Sequence, residues 1–180
     1  MKGFVFTEFL RFVEVSHNLE MVDEMITNSN LPSKGIYSAF NSYDFNELVS
    51  MLSFVCAKTK VPVEVLLEEF GKFVFPYLIG KHSYIIKEYK NPLDLIAGIE
   101  THIHMQVKIL YEDAELPTFR LVEKHKNKVV VIYKSKRGLT YFAIGLMKQT
   151  FHHFKVKGKV WIDSDYDDDD GVKFIIQTNN

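Results

Sequence analysis

Two histidines, His102 and His104, stand two residues apart in the stretch Asn91–Tyr111, NPLDLIAGIETHIHMQVKILY, which runs on into Glu112-Asp113-Ala114-Glu115-Leu116-Pro117. Imidazole nitrogens bind metals and carry protons near neutral pH, so either ring could hold a metal or a metal-bearing cofactor. An isolated histidine on a helix flank is more often a surface or hydrogen-bonded residue, and the choice needs context from the rest of the chain. A second constellation is Tyr133-Lys134-Ser135-Lys136-Arg137. If the backbone stays extended, Tyr133, Ser135 and Arg137 share one side and offer two hydroxyls and a guanidinium fork. That set suits one or two carboxylates, and a turn of solvated polar residues accounts for it equally well. Hard oxygen donors cluster in Asp163-Ser164-Asp165-Tyr166-Asp167-Asp168-Asp169-Asp170-Gly171. A calcium loop of the EF-hand type starting at Asp163 needs glycine and glutamate where the chain has Asp168 and Phe174, so a solvated hairpin turn is the better reading. His152-His153 falls near an expected helix C-terminus, where imidazolium is favoured, and reads as structural.

The elements that must position these groups follow from caps and periodicity. Asn91 is a good N-cap, Pro92 fits the first helical position, and Asp94 puts negative charge in the first turn. Ile96, Ile99, Ile103, Val107 and Leu110 recur at three- and four-residue spacing, which predicts one long helix to Tyr111 with a single apolar stripe. His104 lies about 100° to one side of Ile103 and His102 about 100° to the other, so periodicity leaves both open. Upstream, helices are expected over about 2–15, 20–27 and 44–58, the last opened by Asp44 and Glu47 in the manner of a capping box. Another opens at Pro62, should kink or end at Pro76 before Gly80, and leads into a polar turn over 82–91. After Pro117 the period changes to short strands over 118–123 and 128–133 joined as a hairpin, then a helix over 137–154 and strands over 155–163 and 172–177. A run of helices followed by this order predicts α+β, with an antiparallel sheet of about four strands. No internal repeat or linker divides the chain.

Composition narrows the function classes. At 180 residues and 47% hydrophobic the chain makes one ordinary globular domain with a sizeable core. A formal net charge of -1 gives no basic stripe for nucleic acid and no reason to expect an anionic membrane as partner. The single Cys56 excludes an internal disulfide and a CxxC motif, and fits a reducing, cytoplasmic location. The opening MKGFVFTEFLRFVEV carries Glu8, Arg11 and Glu14 through its apolar run, unlike a signal peptide or a membrane span. There is no G-x-S-x-G elbow, P-loop or G-x-G-x-x-G, and nothing singles out an enzyme. Fifteen Phe and nine Tyr raise the aromatic content to 14%, which suits either a ring-rich core or a pocket for a large flat apolar ligand.

In combination the pieces resemble the heme-nitric oxide/oxygen binding (H-NOX) family, the domain type of bacterial gas sensors and of the sensory part of soluble guanylate cyclase. The resemblance spans essentially the whole chain: the opening MKG and its aromatic-rich helix, Tyr43-Asp44 with Glu47-Leu48, Phe70-Gly71, His104, Leu110 to Pro117, Tyr133-Ser135-Arg137 and Gly145-Leu146. It implies that His104, seven residues before Tyr111, is the axial ligand of one non-covalent heme b, and that His102 is structural. It assigns the propionates to Tyr133, Ser135 and Arg137, contact with the porphyrin to Pro117, and the pocket lining to Val5, Phe9, Val74, Leu78, Phe142 and Leu146. The implied fold buries the heme between a helical N-terminal lobe, about 1–60, and a heme-holding α+β lobe, about 61–180. Oxygen-binding members carry a distal tyrosine where this chain has Phe142, and Tyr141 should point about 100° away. The resemblance therefore implies a non-enzymatic sensor whose five-coordinate ferrous heme takes nitric oxide and CO and excludes oxygen. Weakening or breaking of the iron–His104 bond would signal to a separate histidine kinase or cyclic-di-GMP enzyme, as in stand-alone bacterial members. Several relatives have a cysteine zinc site where this chain has its acidic run, so that zinc should be absent. The alternative is a heme-free scaffold that binds a hydrophobic ligand or a protein partner. A heme peroxidase is disfavoured by the lack of a distal His or Arg.

Overall fold

The computed structural model describes residues 1–166 and 171–179, so Asp167 to Asp170 of the acidic run lie outside the described residues. Helix α1 (Gly3–Ser16) brings Phe6, Phe9 and Val13 together at helical spacing, all fully buried, and α2 (Leu19–Asn28) adds Val22 and Met25. Helix α3 (Phe45–Thr59) is capped by Asp44, whose carboxylate accepts the Asn46 N–H at 3.0 Å. Glu47 does not close the expected box. Its buried carboxylate turns to the 33–37 loop, accepting the Ser33 N–H at 3.2 Å, the Ser33 hydroxyl and the Tyr37 hydroxyl at 3.0 Å. Burial, reinforced by this carboxylate, pushes the Tyr37 phenol up to about 12.

Helix α4 (Val63–Lys81) continues through Pro76 instead of ending there. Proline removes one intrahelical hydrogen bond, and the loss is tolerated where Val74 and Phe75 are packed into the interior on either flank of the preceding turn. A four-residue helix α5 (Ser83–Ile86) follows where only a polar turn is expected, because Ile85 and Ile86 are both buried.

The second half forms a four-stranded antiparallel sheet in the order β1-β2-β4-β3, with β1 (Thr118–Lys124), β2 (Lys128–Lys134), β3 (Gly158–Ile162) and β4 (Val172–Thr178). Strand β2 is interior, and its run Val129 to Tyr133 is buried without alternation, as a strand covered on both faces requires. A bulge between Leu121 and Glu123 bends the edge strand β1. Helix α8 (Thr140–His153) covers the sheet with Ala143, Ile144, Met147 and Phe151, and its other side meets α4. That helix pair is in backbone contact. A Cβ on Gly71 would fall 2.3 Å from the Phe142 carbonyl oxygen, and one on Gly145 would fall 2.1 Å from the Glu68 carbonyl oxygen. Lys148 of α8 then reaches both oxygens of Glu68 on α4, at 2.7 and 2.8 Å. The expected α+β architecture, helices followed by a four-stranded antiparallel sheet, is met, and among the described residues no helix is long and apolar enough to cross a membrane.

Candidate functional site

The histidine stretch begins as expected and then departs. Asn91 accepts the Asp94 N–H at 2.8 Å and opens α6 (Pro92–Ala97), whose Leu93 and Ile96 are anchored in the sheet core. Instead of one helix to Tyr111, the chain passes through a π-helical segment, Ile99–His104, into the short helix α7 (Met105–Leu110). No residue of the π-helical segment or of α7 is buried: Ile103 and Val107 are half-buried and Leu110 is 58% exposed. The apolar stripe therefore seats only the first third of the stretch.

The two histidines, equivalent by periodicity, are separated by their surroundings. His102 is exposed, with its Nδ1 2.5 Å from the Tyr89 hydroxyl. The His104 side chain is only 12% exposed, and its Nδ1 lies 3.1 Å from Glu100 Oε2. The same carboxylate oxygen accepts the Phe119 N–H at 3.0 Å, which ties the histidine to the start of β1. Donation of the Nδ1 proton to Glu100 leaves the lone pair on Nε2, the tautomer a metal needs. Burial holds the imidazole below its ordinary pKa, against the opposing pull of Glu100, and a backbone hydrogen bond with Pro117 joins the same group. The Phe119 ring stands 5.7 Å from His104 and 5.1 Å from Tyr133, forming a ladder from the histidine to the hydroxyl–guanidinium cluster.

That cluster forms, although the backbone does not stay extended. Strand β2 ends at Lys134, and a turn in which the Arg137 N–H donates to Ser135 Oγ at 3.2 Å, followed by Gly138 at φ +62°, brings the arginine back. Tyr133 is 3% exposed; burial raises its phenol pKa, while the Ser135 hydroxyl and the Arg137 charge oppose that rise. The Arg137 side chain, 16% exposed, pairs with the Glu115 carboxylate, donates to the Glu115 carbonyl at 2.8 Å, and lies 6.0 Å from the Phe45 ring of α3. Of the three residues, Arg137 is the one that holds a carboxylate here, that of Glu115.

The apolar candidates gather elsewhere. Val5, Phe9 and Val74 are interior residues of the N-terminal core, with Leu78 and Phe142 packed against it. Phe9 and Phe142 flank Phe70 at 5.0 and 5.2 Å, and Leu146 reaches α4 at Gly71. Tyr141 packs against both this core and the sheet core, so the two sets meet there. Asp113 connects the histidine stretch to the chain's start: Lys2 pairs with it at 2.7 Å, and Ser42, which bridges to Lys2, donates to it at 3.1 Å. Glu100, Phe119, Tyr89 and Glu115 are missed by sequence reasoning. Only Glu100 leaves a signal there, standing one helical turn before His104.

These residues fit a heme: an oriented, largely enclosed imidazole, an arginine that already pairs with a carboxylate one ring ladder away, and an aromatic apolar body that meets the sheet core at Tyr141. Among the described residues there is no group of three or more His, Cys, Asp or Glu that could hold a metal ion. A set of helices followed by a four-stranded antiparallel sheet, with these groups drawn from both, defines an α+β domain. Residues 2–162 match the Haem-NO-binding family, and the chain belongs to that family, the H-NOX domains, which are heme-based gas sensors. The structure is similar to the Fe(II) unliganded H-NOX protein from K. algicida, 40% identical with a TM-score of 0.93 over 100% of this chain and 97% of that one. It is similar to the IWP-051-bound H-NOX from Shewanella woodyi in the Fe(II)CO state, 34% identical with a TM-score of 0.84 over 98% and 94% of the two chains. An H-NOX protein from S. oneidensis in the Fe(II)NO state is 26% identical, with a TM-score of 0.88 over 100% of both chains. No curated protein matches.

Proposed function

We propose that this protein senses nitric oxide through one non-covalent heme b whose axial ligand is His104. The observation that carries the reading is the Glu100–His104 hydrogen bond, which orients a buried imidazole and leaves Nε2 as its metal-binding nitrogen. Tyr133, Ser135 and Arg137 hold the propionates, with Glu115 exchanging its place on Arg137 for them. Pro117, on the backbone beside His104, bears on the porphyrin, and Val5, Phe9, Val74, Leu78, Phe142 and Leu146 line the pocket. Bound heme supplies a ferrous iron with one open axial position for a diatomic gas. Phe9, Val74 and Phe142 bring no hydrogen-bond donor to that side. Oxygen, which relies on such a donor, is excluded, while nitric oxide and CO bind.

Released from iron, His104 would leave a lightly packed segment free to shift α7, and the Lys2–Asp113 pair would relay that shift to the N-terminal lobe. The reader of this change is a separate polypeptide, a histidine kinase or a cyclic-di-GMP enzyme, in a bacterial cytoplasm, and the domain itself catalyses nothing. The test is an absorption spectrum of the reduced protein under argon, then air, then nitric oxide. A Soret band that moves with nitric oxide and CO but not with air supports the reading. Protein that stays colourless after heme reconstitution overturns it in favour of a heme-free scaffold. Phe142→Tyr adds a hydroxyl on the distal side and should produce an oxygen-dependent spectrum.

A further inference from the structure

The π-helical segment Ile99–His104 is an energetically poorer conformation than the α-helices on either side, and no residue in it is fully buried: Ile99 packs against the sheet core from its partly exposed position, and the His104 ring is largely enclosed. Its start is occupied by a contact outside the ligand set already described. Tyr89, in the link between α5 and α6, lies directly over Gly98: a Cβ there would meet the Tyr89 hydroxyl at 2.3 Å and its ring carbons at 3.0 and 3.1 Å. Across that glycine the hydroxyl reaches His102 Nδ1 at 2.5 Å, with the two rings 6.0 Å apart. The His102 N–H donates to the Gly98 carbonyl at 2.9 Å, so one residue meets both the backbone and the phenol at the segment's mouth. Burial, with the Glu88 and Asp94 carboxylates adding to it, raises the Tyr89 phenol, and the phenol donates to His102 Nδ1 when the imidazole carries its proton on Nε2. Two residues further on, His104 is turned to the opposite side of the segment.

We propose that Tyr89 and His102, closed over Gly98, are positioning residues: a brace that fixes the register of the π-helical segment and so the presentation of His104 to its ligand. This rests on the reading of His104 as the axial ligand. Glu100 orients the His104 ring about its own bonds, whereas the brace sets where the backbone carrying that ring stands. The brace touches neither cofactor nor gas. Without it the segment is free to tighten toward α-helical geometry, which rotates His104 by a fraction of a turn relative to α6.

The experiment uses the heme-loaded full chain and the variants Tyr89→Phe, His102→Leu, His102→Gln and Gly98→Ala. Two readouts are followed under argon: the iron–histidine stretching band in the resonance Raman spectrum, and amide hydrogen exchange over residues 98–105. Tyr89→Phe and His102→Leu should each shift or broaden the band and speed exchange about fivefold, the equilibrium weight of roughly one net hydrogen bond. His102→Gln should restore parent behaviour, because its amide oxygen accepts the same proton. Gly98→Ala should reproduce Tyr89→Phe, since its methyl group expels the hydroxyl. If Gly98→Ala does not fold, the Tyr89→Phe and His102→Leu pair decides. A parent-like band and parent-like exchange in that pair overturn the brace. His104→Gly distinguishes the two ideas: if it retains the parent's iron–histidine band, the axial reading fails and the brace falls with it. If His104→Gly loses the band while Tyr89→Phe and His102→Leu leave band and exchange unchanged, only the brace fails.

Discussion

The α4–α8 crossing and the stretch from Gly98 to Leu110 are held by opposite means. At the crossing, glycines bring backbone to backbone, Phe70, Met147 and their neighbours are sealed in the interior, and Lys148 closes over Glu68. In the histidine stretch no residue from Ile99 onward is fully buried, and beyond the packing of Ile99 on the sheet core and the enclosure of the His104 ring, position is set by individual polar contacts from Tyr89, Glu100 and Asp113. Dispersion and burial scale with area and resist any displacement, whereas a hydrogen bond gives way singly and at a small net cost. A sensor needs both: a frame that does not yield and a ligand-bearing segment that does.

The largest expected effect is at the crossing. Gly145→Val drives two methyl groups into the Glu68 carbonyl and should cost ~3 kcal/mol or abolish folding, measured by thermal denaturation. A parent-like melting temperature would mean that the frame is as yielding as the histidine stretch. His104→Gly should reverse the pattern, removing heme from the purified protein while moving the stability of the heme-free chain by ~1 kcal/mol or less, because its segment contributes little burial. Arg137→Ala comes next: loss of a charge-assisted pair with a carboxylate should speed heme loss to a scavenger protein about tenfold, with the fold intact.

The smallest effect is electrostatic and belongs to the frame. Burial pushes the Glu68 carboxyl up, but Lys148 and Lys72 outweigh it and leave it below its ordinary 4.5. Its folded value thus lies below its unfolded one, so the stabilisation is complete above pH 4.5 and is lost as pH falls through the folded value. Glu68→Gln should flatten that acid limb by ~0.5 kcal/mol, a figure reduced for solvent screening. An unchanged limb would mean that the ion pair adds nothing to the glycine contact.

Legibility in the sequence divides along the same line. Packing writes itself into periodicity, so α1, α3, α8 and all four strands fall within a few residues of where apolar spacing and caps put them. The ending allowed for at Pro76 does not occur, because a local rule that removes one hydrogen bond loses to burial of Val74 and Phe75. The π-helical register is invisible because no composition marks it, and the residues that hold it are remote in the chain. Tyr89 acts thirteen positions before His102, and Phe119 meets Glu100 only after the sheet has formed. Tyr133, Ser135 and Arg137 are legible as types, but their convergence depends on a turn rather than on the alternation that suggests it. The proposed choice of His104 over His102 rests on family resemblance at the level of sequence and on enclosure of the ring and Glu100 in the fold.

A π-helical turn is what a helix becomes when it must house one residue more than its α-helical length allows, and that makes the histidine stretch unusual in its tolerance of length. Deleting one residue from α4 or α8 would turn every following side chain by about 100° and dismantle the interface. Deleting one between Gly98 and His102 instead gives back α-helical geometry without breaking the ends. The stretch that carries His104 is therefore also the place where the chain should be able to lose a residue and remain folded, a reserve of slack written into its covalent length.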